Sequence, residues 1–433
     1  MRAESLQFTT IGDFIRTRRQ EANLTLVQLE EMTGVGKGII SKIENGETKR
    51  PEFKTMHALA SVLDTAYPNI VELYLSVEQR ADVLMSILKE SIYSGPSLCY
   101  KIAAQFLRDE KKDSTELVGQ LYRFAGSIED AESVRLSLYK LIIKYSRTHG
   151  IQDYFAKALL QEYLIERDNL ELLHSTYHTG KNIAHYVQFL SSEEQISFYY
   201  KIGAHAYQLN KHQESIDFCK QVLILDTTDS VTKAHALSFI SFSYYFLDNY
   251  DMAEHYLRQY CTFQFPFVQE NADFMTAKLN GKKGNVELAI HQMEQCLEKS
   301  AHKVNIIYDL FDLYLQQNNL DAIEKLFQRE EHLIEAERSN HPSLIAELAL
   351  YYKNKSEYYK LIAMHEQSVD CLLKSITMFV SVDRHTNAYE CIELLFDRLY
   401  ENCDPINNMK YLHRIKSMFY ELNSSKQKIG EMI

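Results

Sequence analysis

The sequence predicts an all-α chain in which a small helical domain at the N terminus precedes a solenoid of paired helices. Proline and glycine are scarce, with six and fourteen copies in 433 residues, whereas an all-β chain needs many turns rich in both. Near the N terminus, apolar residues recur three and four positions apart, which is the spacing of one helix face. Farther along, pairs of such segments repeat, as is typical of helical solenoids.

The first two helices have clear boundary signals. Ile11 and Ile15 share the apolar face of the first helix. Thr25 is a favourable N-cap for the second helix, and Gln28, three residues later, completes a capping box. Gly34 tolerates the positive φ that ends a helix, so we expect the second helix to stop there.

A third helix follows after a short turn that contains glycine, and this arrangement is typical of a helix-turn-helix unit. Ile40 and Ile43 are expected to anchor the third helix to the core, and Asn45-Gly46 to end it. A closing amphipathic helix completes the unit. We assign residues 1–65 to this domain.

The N-terminal segment resembles the phage-repressor (Cro/C1) family of helix-turn-helix domains. The matching residues are Ile11-Gly12, Ile15-Arg16, Arg18, Gln28-Leu29, Gly34-Val35, Ile40-Ser41-Lys42-Ile43-Glu44-Asn45-Gly46 and Arg50-Pro51. The resemblance implies a five-helix domain that binds DNA. Glu30 departs from the family pattern, because the family usually has an alanine there, packed against the recognition helix.

The resemblance also implies which residues contact DNA, since in this family the recognition helix enters the major groove with its N-terminal residues toward the base edges. By position, the implied base contacts are Lys37, Gly38, Ile39 and Lys42. The implied phosphate contacts are Thr25, Gln28, Lys49 and Arg50. The alternative for Gln28 and Lys42 is an ordinary solvated side chain. Double-stranded operator DNA is the partner that follows.

The charge and the cysteine pattern restrict the partners and the compartment that the chain can have. The net charge is -12, yet residues 1–65 carry nine basic and nine acidic side chains, so the acidic excess lies in the remainder. An acidic body disfavours non-specific binding to nucleic acid. The seven cysteines form no Cys-x-x-Cys pair, which indicates a reduced, cytoplasmic protein without disulfides or a metal site. We expect no cofactor. No apolar run approaches membrane-spanning length, so we expect no membrane partner.

From about residue 196 onward, a helix pair repeats. A small residue near the start of each second helix marks the copies: Ser215, Ala253, Ala289, Ala322 and Ser368. A polar turn precedes each marker. The unit resembles the tetratricopeptide pattern of 34-residue helical hairpins, which stack into a superhelix with a concave surface. We assign residues 181–433 to these repeats, and residues 66–180 to a helical bundle without a clean repeat.

A repressor-type helix-turn-helix followed by tetratricopeptide-like repeats resembles the RRNPP family of peptide-sensing regulators of Gram-positive bacteria, and the length is most similar to its NprR-like members. The resemblance implies a transcriptional regulator that is not an enzyme. It implies quorum sensing by a short signalling peptide that is re-imported and bound on the concave face. It also implies a homo-oligomer, either a dimer or a tetramer, whose pairing responds to the peptide.

The repeat register places a set of first-helix side chains toward the concave face. The candidates for peptide binding are Tyr200, Tyr207, His235, Phe242, Tyr245, Asn271, Lys278 and Asn305. Asparagine amides suit the backbone of an extended peptide, and tyrosine and phenylalanine suit pockets for its side chains. The alternative for several of these aromatic residues is packing between adjacent repeats.

Two other functions fit the sequence. The helical body resembles that of Rap-type proteins, which bind a response regulator and in some cases dephosphorylate it; Gln105, Glu116 and Gln120 are then the candidates for orienting a water molecule. The chain also suits a mobile-element repressor with a protein ligand in its groove. No residue pattern predicts a catalytic site. His174 and His178 lack the glutamate that a zinc protease requires, so no metal site is predicted.

Overall fold

A computed structural model confirms the all-α prediction. It describes residues 10–78, 80–169, 172–299, 304–328, 341–382, 384–401, 409, 411–417 and 420. These residues contain α-helices and short 3-10 helices and no β-strand. The chain divides into two compact units, Met1–Asp168 with His178–Ser191, and Asn169–Tyr177 with Ser192–Ile433.

The first unit contains ten α-helices in its described part. They are α1 (Ile11–Glu21), α2 (Leu26–Thr33), α3 (Lys37–Glu44), α4 (Phe53–Val62), α5 (Tyr67–Leu75), α6 (Ala81–Glu90), α7 (Pro96–Phe106), α8 (Ser114–Gly126), α9 (Glu132–His149) and α10 (Gln152–Glu166). Two 3-10 segments, Ile92–Ser94 and Asn182–Phe189, accompany them. Helices α1 to α4 lie within the domain predicted for residues 1–65, and the fifth helix, α5, begins at Tyr67, just beyond that boundary.

The predicted boundaries of α2 are confirmed in detail. Thr25 caps the helix, and its side chain and that of Gln28 bond to each other's backbone N–H groups as a capping box. Gly34 ends the helix with a φ of 71°. These contacts join residues at most four positions apart, which is why they can be predicted from the sequence.

The N-terminal domain shares its core with the bundle that follows. One cluster of buried apolar side chains extends from Ile11 to Ile165. Tyr74 on α5 is almost fully buried and donates a hydrogen bond to the carbonyl oxygen of Pro51 at 2.9 Å. The predicted boundary at residue 65 therefore falls between two packed helices and not in an exposed linker.

The second unit is a row of antiparallel helix pairs that begins after α11 (Leu173–Lys181). Its helices are α12 (Ser192–Gln208), α13 (His212–Leu225), α14 (Val231–Phe246), α15 (Tyr250–Tyr260), α16 (Pro266–Lys282), α17 (Val286–Lys299), α18 (Val304–Gln316), α19 (Leu320–Phe327), α20 (Pro342–Leu361), α21 (His365–Ser381) and α22 (His385–Glu401). The even-numbered helices are the first helices of the repeats, and they carry all eight predicted peptide-binding residues.

Each repeat turns between its two helices at one residue in the left-handed region. These residues are Asn210, Asp248, Gly284, Asn318 and Ala363, with φ between 52° and 86°. After each of them, a backbone N–H bonds to a carbonyl five residues earlier, as when Asn249 N–H donates to the carbonyl oxygen of Tyr244 at 2.9 Å. This is the Schellman arrangement, which satisfies carbonyl groups at a helix end.

The small residues that mark the repeats lie five positions after these turns. Ser215, Ala253, Ala289 and Ser368 are all fully buried there. In the fourth repeat, the structure places the larger Ile323 at this position instead of Ala322, which we had marked. Ala322 lies in the first turn of α19, where its N–H donates to the side chain of the capping residue Asn319.

Three further observations concern the described residues only. None of their helices is both long and apolar enough to cross a bilayer. They contain no group of three or more potential metal ligands. Six cysteines are free thiols, all of them buried except Cys261, and Cys403 lies outside the described residues.

Candidate functional site

The recognition helix α3 buries one face and exposes the other. Ile40 packs in the core with no exposed surface, whereas Ile39 keeps 52% of its surface exposed. Lys37 and Lys42 are exposed beside it. A Cβ added to Gly38 would meet no heavy atom within 4 Å. All four residues that the resemblance implies as base contacts therefore lie on one open surface.

The four implied phosphate contacts are also exposed. Gln28 accepts bonds from the backbone N–H and hydroxyl of Thr25 through its carbonyl oxygen, at 2.9 and 3.0 Å. This arrangement leaves the amide nitrogen of Gln28 as the group that can donate to a phosphate. Among the ion pairs of the described residues, none involves the four cations of this surface, Lys37, Lys42, Lys49 and Arg50.

A buried ion pair holds the C-terminal end of α3. The Glu44 side chain is 4% exposed and accepts two bonds from Arg19, at 2.7 and 2.8 Å. Arg19 also donates to the carbonyl oxygen of Leu24 at 2.8 Å. Arg16 lies 3.7 Å from Glu44 and donates to Asn45 at 2.6 Å. We call Arg19, Glu44 and Arg16 the clamp. The sequence analysis predicted no role for Arg19 or Glu44.

Helices α1 and α3 also make a very close backbone contact. A Cβ built on Gly12 would lie 2.3 Å from the carbonyl oxygen of Ile43. Only glycine therefore fits at this position without moving one of the two helices. The clamp and this contact together fix α3 against α1.

In the second unit, several predicted peptide-binding residues form an aromatic row along the first helices. His235 stacks on Phe267 with ring centres 4.4 Å apart, and Tyr200 lies 6.2 Å from His235. Phe242 approaches Phe274 at 6.4 Å. These contacts join α12, α14 and α16, so the rings serve at least the packing between repeats. Burial lowers the pKa of His235, which favours the neutral form of its ring.

Lys278 lies at the centre of this surface. Its ammonium group bonds to both carboxylate oxygens of Asp309 at 2.7 Å and lies 5.0 Å from the ring centre of Tyr245. Both partners of the ion pair are largely buried, with side chains 9% and 13% exposed. Burial raises the pKa of Tyr245, so its hydroxyl stays protonated.

The two predicted asparagines differ in their surroundings. Asn271 donates its amide to the hydroxyl of Tyr260 at 3.2 Å, so this group is already engaged within the repeat. Asn305 is half-buried on α18. The structure thus brings the eight candidates onto successive first helices, but it does not leave all of their polar groups available to a ligand.

Three residues that the sequence did not indicate complete this surface. Burial raises the pKa of Tyr207 on α12, with further contributions from Glu347 on α20 and from Asp309 on α18, and Arg384 acts in the opposite direction. Residues on α12, α18 and α20 and just before α22 are therefore close enough to act on one another electrostatically. We call this interior surface, defined by Tyr207, Lys278, Asp309, Glu347 and Arg384, the groove.

The residues proposed for a Rap-like water site are not assembled into one. Gln120 donates to Glu116 at 2.9 Å on the exposed side of α8. Gln105 on α7 instead donates to the carbonyl oxygen of Glu78 at 3.5 Å.

Comparison with known proteins confirms the N-terminal domain. Residues 15–67 match the helix-turn-helix family model. This segment is a helix-turn-helix domain. An uncharacterized HTH-type transcriptional regulator of Bacillus subtilis, RghRB, is 38% identical over 60 residues, which make up 14% of this chain and 43% of RghRB. The match therefore spans less than half of that relative.

Solved structures align with longer parts of the chain at low identity. A tetratricopeptide repeat protein from Parabacteroides merdae aligns over 65% of this chain and 98% of its own, with 14% identity and a TM-score of 0.49. The protein phAimR aligns over 93% of this chain and 100% of its own, with 15% identity and a TM-score of 0.41.

Proposed function

We propose that this chain is a sequence-specific DNA-binding transcriptional regulator whose affinity for its operator is switched by a short peptide bound in the groove. The observation that carries the proposal is the exposed face of α3. It presents two lysines that no acidic side chain of the described residues neutralises, on a helix that the clamp holds rigidly at its other end.

The chemistry of this face suits the major groove of DNA. Lysine donates to guanine O6 and N7, and the side chain of Ile39 can contact a thymine methyl group. Gly38 lets the backbone of α3 approach the bases closely. Lys49 and Arg50 would meet phosphates and set the register of the domain on the duplex.

The groove and the aromatic row suit an extended peptide, because together they combine aromatic side chains with charged groups that are partly withdrawn from water. A peptide can switch DNA binding only if it prefers one of two conformations of the protein. Couplings of about 1–3 kcal/mol are typical of such switches. In a homodimer, a change of pairing would alter the distance between two recognition helices, which must match half-sites about 34 Å apart.

The DNA half of the proposal is tested by a mobility-shift titration on the DNA that flanks the chain's own gene. We expect the double variant Lys37→Ala/Lys42→Ala to lose at least roughly 30-fold in affinity, because each lysine-base contact contributes about 1–3 kcal/mol. Lys54→Ala is the matched control, since Lys54 is exposed on α4 and is not one of the implied contacts. Normal binding by the double variant would contradict the assignment of α3.

The peptide half is tested in the same assay by adding synthetic peptides from the C terminus of any small open reading frame beside the gene. A peptide that shifts the midpoint of the wild-type titration supports the switch. Binding that no such peptide alters, while the lysine variants still fail to bind, would leave a DNA-binding regulator controlled by another partner.

A further inference from the structure

The interior of the groove contains a carboxylate with unmet hydrogen-bonding capacity. Oε2 of Glu347 is buried, and no described residue donates to it. Arg384 is close enough to act on Glu347 electrostatically, yet the two do not form an ion pair among the described residues. A buried carboxylate oxygen without a donor is unfavourable, because the desolvation of the charge is not compensated.

The neighbouring charges do not supply the missing donor. Lys278 is the other cation that acts on Glu347, and Asp309 already engages its ammonium group through both oxygens. Asp309 itself acts on Glu347 as a second negative charge. Consistent with this setting, burial raises the pKa of Glu347 to about 7.

A second unmet group lies in the same interior. Nδ1 of His212 is buried without a partner among the described residues, and the ring stacks on Phe246 with centres 4.9 Å apart. Arg384 acts electrostatically on His212 as well as on Glu347. The unmet nitrogen on α13 and the unmet oxygen on α20 are therefore coupled to the same cation.

The sign of the missing partner follows from which groups are unmet. The unmet atom of Glu347 is a carboxylate oxygen, which accepts hydrogen bonds, so the missing partner is a donor. An anionic ligand group would lie beside Glu347 and Asp309 and be repelled by both. A cationic donor would satisfy Oε2 and offset the charge that the folded chain holds away from water.

We propose that Glu347 is the anchor for a cationic nitrogen of the ligand, either an ammonium or a guanidinium group, in the interior of the groove. This inference rests on the proposed peptide switch and specifies the chemistry of its ligand. Tyr207 and His212 form the wall beside the anchor. The cation comes either from a lysine or arginine side chain or from the free amino terminus of the peptide.

The probe is a set of three synthetic heptapeptide libraries, screened against the immobilised full chain by affinity selection and mass spectrometry. The first has free amino termini and no lysine, arginine or histidine. The second has acetylated termini and contains lysine and arginine. The third has acetylated termini and no basic residue. We expect the wild-type chain to retain peptides from the first or second library and at least 10-fold fewer from the third.

The variant Glu347→Gln should lose this preference, with retention of the basic peptides falling at least 10-fold. Glu287→Gln makes the same chemical change at an exposed position on α17, a second helix of the repeats, and should behave as wild type. Thermal unfolding and operator binding of Glu347→Gln check that the variant folds. We expect the variant to unfold cooperatively and to bind the operator as the wild type does, because glutamine removes a buried charge and keeps the size of the side chain.

The outcomes separate the two proposals. Retention of peptides from all three libraries alike would overturn the cation anchor and leave the peptide switch standing. If Glu347→Gln still prefers basic peptides, the proposal that Glu347 is the anchor is also overturned. A different acidic residue would then bind the cation. Retention of no peptide at all would overturn the peptide switch itself, and the anchor with it.

Discussion

The helix-turn-helix domain and the groove each contain a glutamate with a buried carboxylate oxygen, and the two carboxylates have different surroundings. Glu44 accepts two bonds from Arg19 and lies 3.7 Å from Arg16, so its charge is compensated within its own domain. Glu347 lies near Arg384 but has a buried oxygen that no described residue satisfies. Glu44 stabilises the position of α3, whereas Oε2 of Glu347 lacks a hydrogen-bond donor.

This difference suggests a division of roles. A surface that reads DNA gains from rigidity, because its side chains must meet the bases at set distances. A surface that senses a ligand gains from a group that is poorly satisfied until the ligand arrives, since the ligand then binds one state preferentially. The first two predictions below test this contrast, and the third tests the turns of the repeats.

Arg19→Ala should have the largest effect. It leaves Glu44 buried without its main partner, and losing one member of a buried pair costs roughly 3 kcal/mol. Hydrogen exchange of the α3 amides should accelerate accordingly, and operator binding should weaken. Arg18→Ala removes a surface pair with Glu21 and should cost less than about 1 kcal/mol. Equal effects from the two variants would mean that the clamp does not hold α3.

Glu347 should make the folded state less stable as the pH rises, whereas an acid held in an ion pair makes it more stable as the pH rises. Its pKa is raised to about 7, mainly by burial, so the folded chain binds this proton more tightly than the unfolded chain does. The folded state is therefore favoured below about pH 4.5, and this advantage is lost as the pH rises through about 7. Asp309 adds to the raised pKa, and Lys278 and Arg384 oppose it.

The measurement is the midpoint of thermal unfolding of the wild type and of Glu347→Gln between about pH 4.5 and somewhat above pH 7. Other carboxylates titrate in both variants, so the difference between the two isolates Glu347. The glutamine variant should be the more stable above pH 7, by on the order of 2 kcal/mol, and the two should converge toward pH 5. A difference that does not change with pH would show that the carboxylate is already satisfied.

The smallest expected effect lies in the turns of the repeats. Ala363 adopts a φ of 58°, which costs a residue with a Cβ about 1 kcal/mol. Ala363→Gly should therefore stabilise the repeats by up to about 1 kcal/mol in chemical denaturation. Gly284→Ala is the reverse change at the equivalent turn, where a Cβ meets no atom within 4 Å. It should lose a similar amount, and unchanged stability in both would contradict the shared turn.

Much of the fold was predictable because its signals are local. The capping box of Thr25 and Gln28, the left-handed Gly34 and the apolar spacing of α1 and α3 each involve residues within one helical turn or two. The repeat was also predictable, although its copies differ in sequence. The error at Ala322 arose because a small residue was taken as the marker. The turn geometry is the constant feature, and in the fourth copy a larger side chain occupies the buried position.

The sequence by itself determined the fold class, the helix-turn-helix unit and its outward-facing residues, because each depends on spacing along one helix. Tertiary structure alone decided which charges meet. Arg19 reaches Glu44 across 25 residues, through the packing of α1 on α3. Glu347 and Arg384 act electrostatically on Tyr207 although they lie several repeats later in the chain, because the repeats stack on one another. No local sequence pattern shows which residues of separate repeats come together, so the composition of the groove emerges only when the row of repeats is folded.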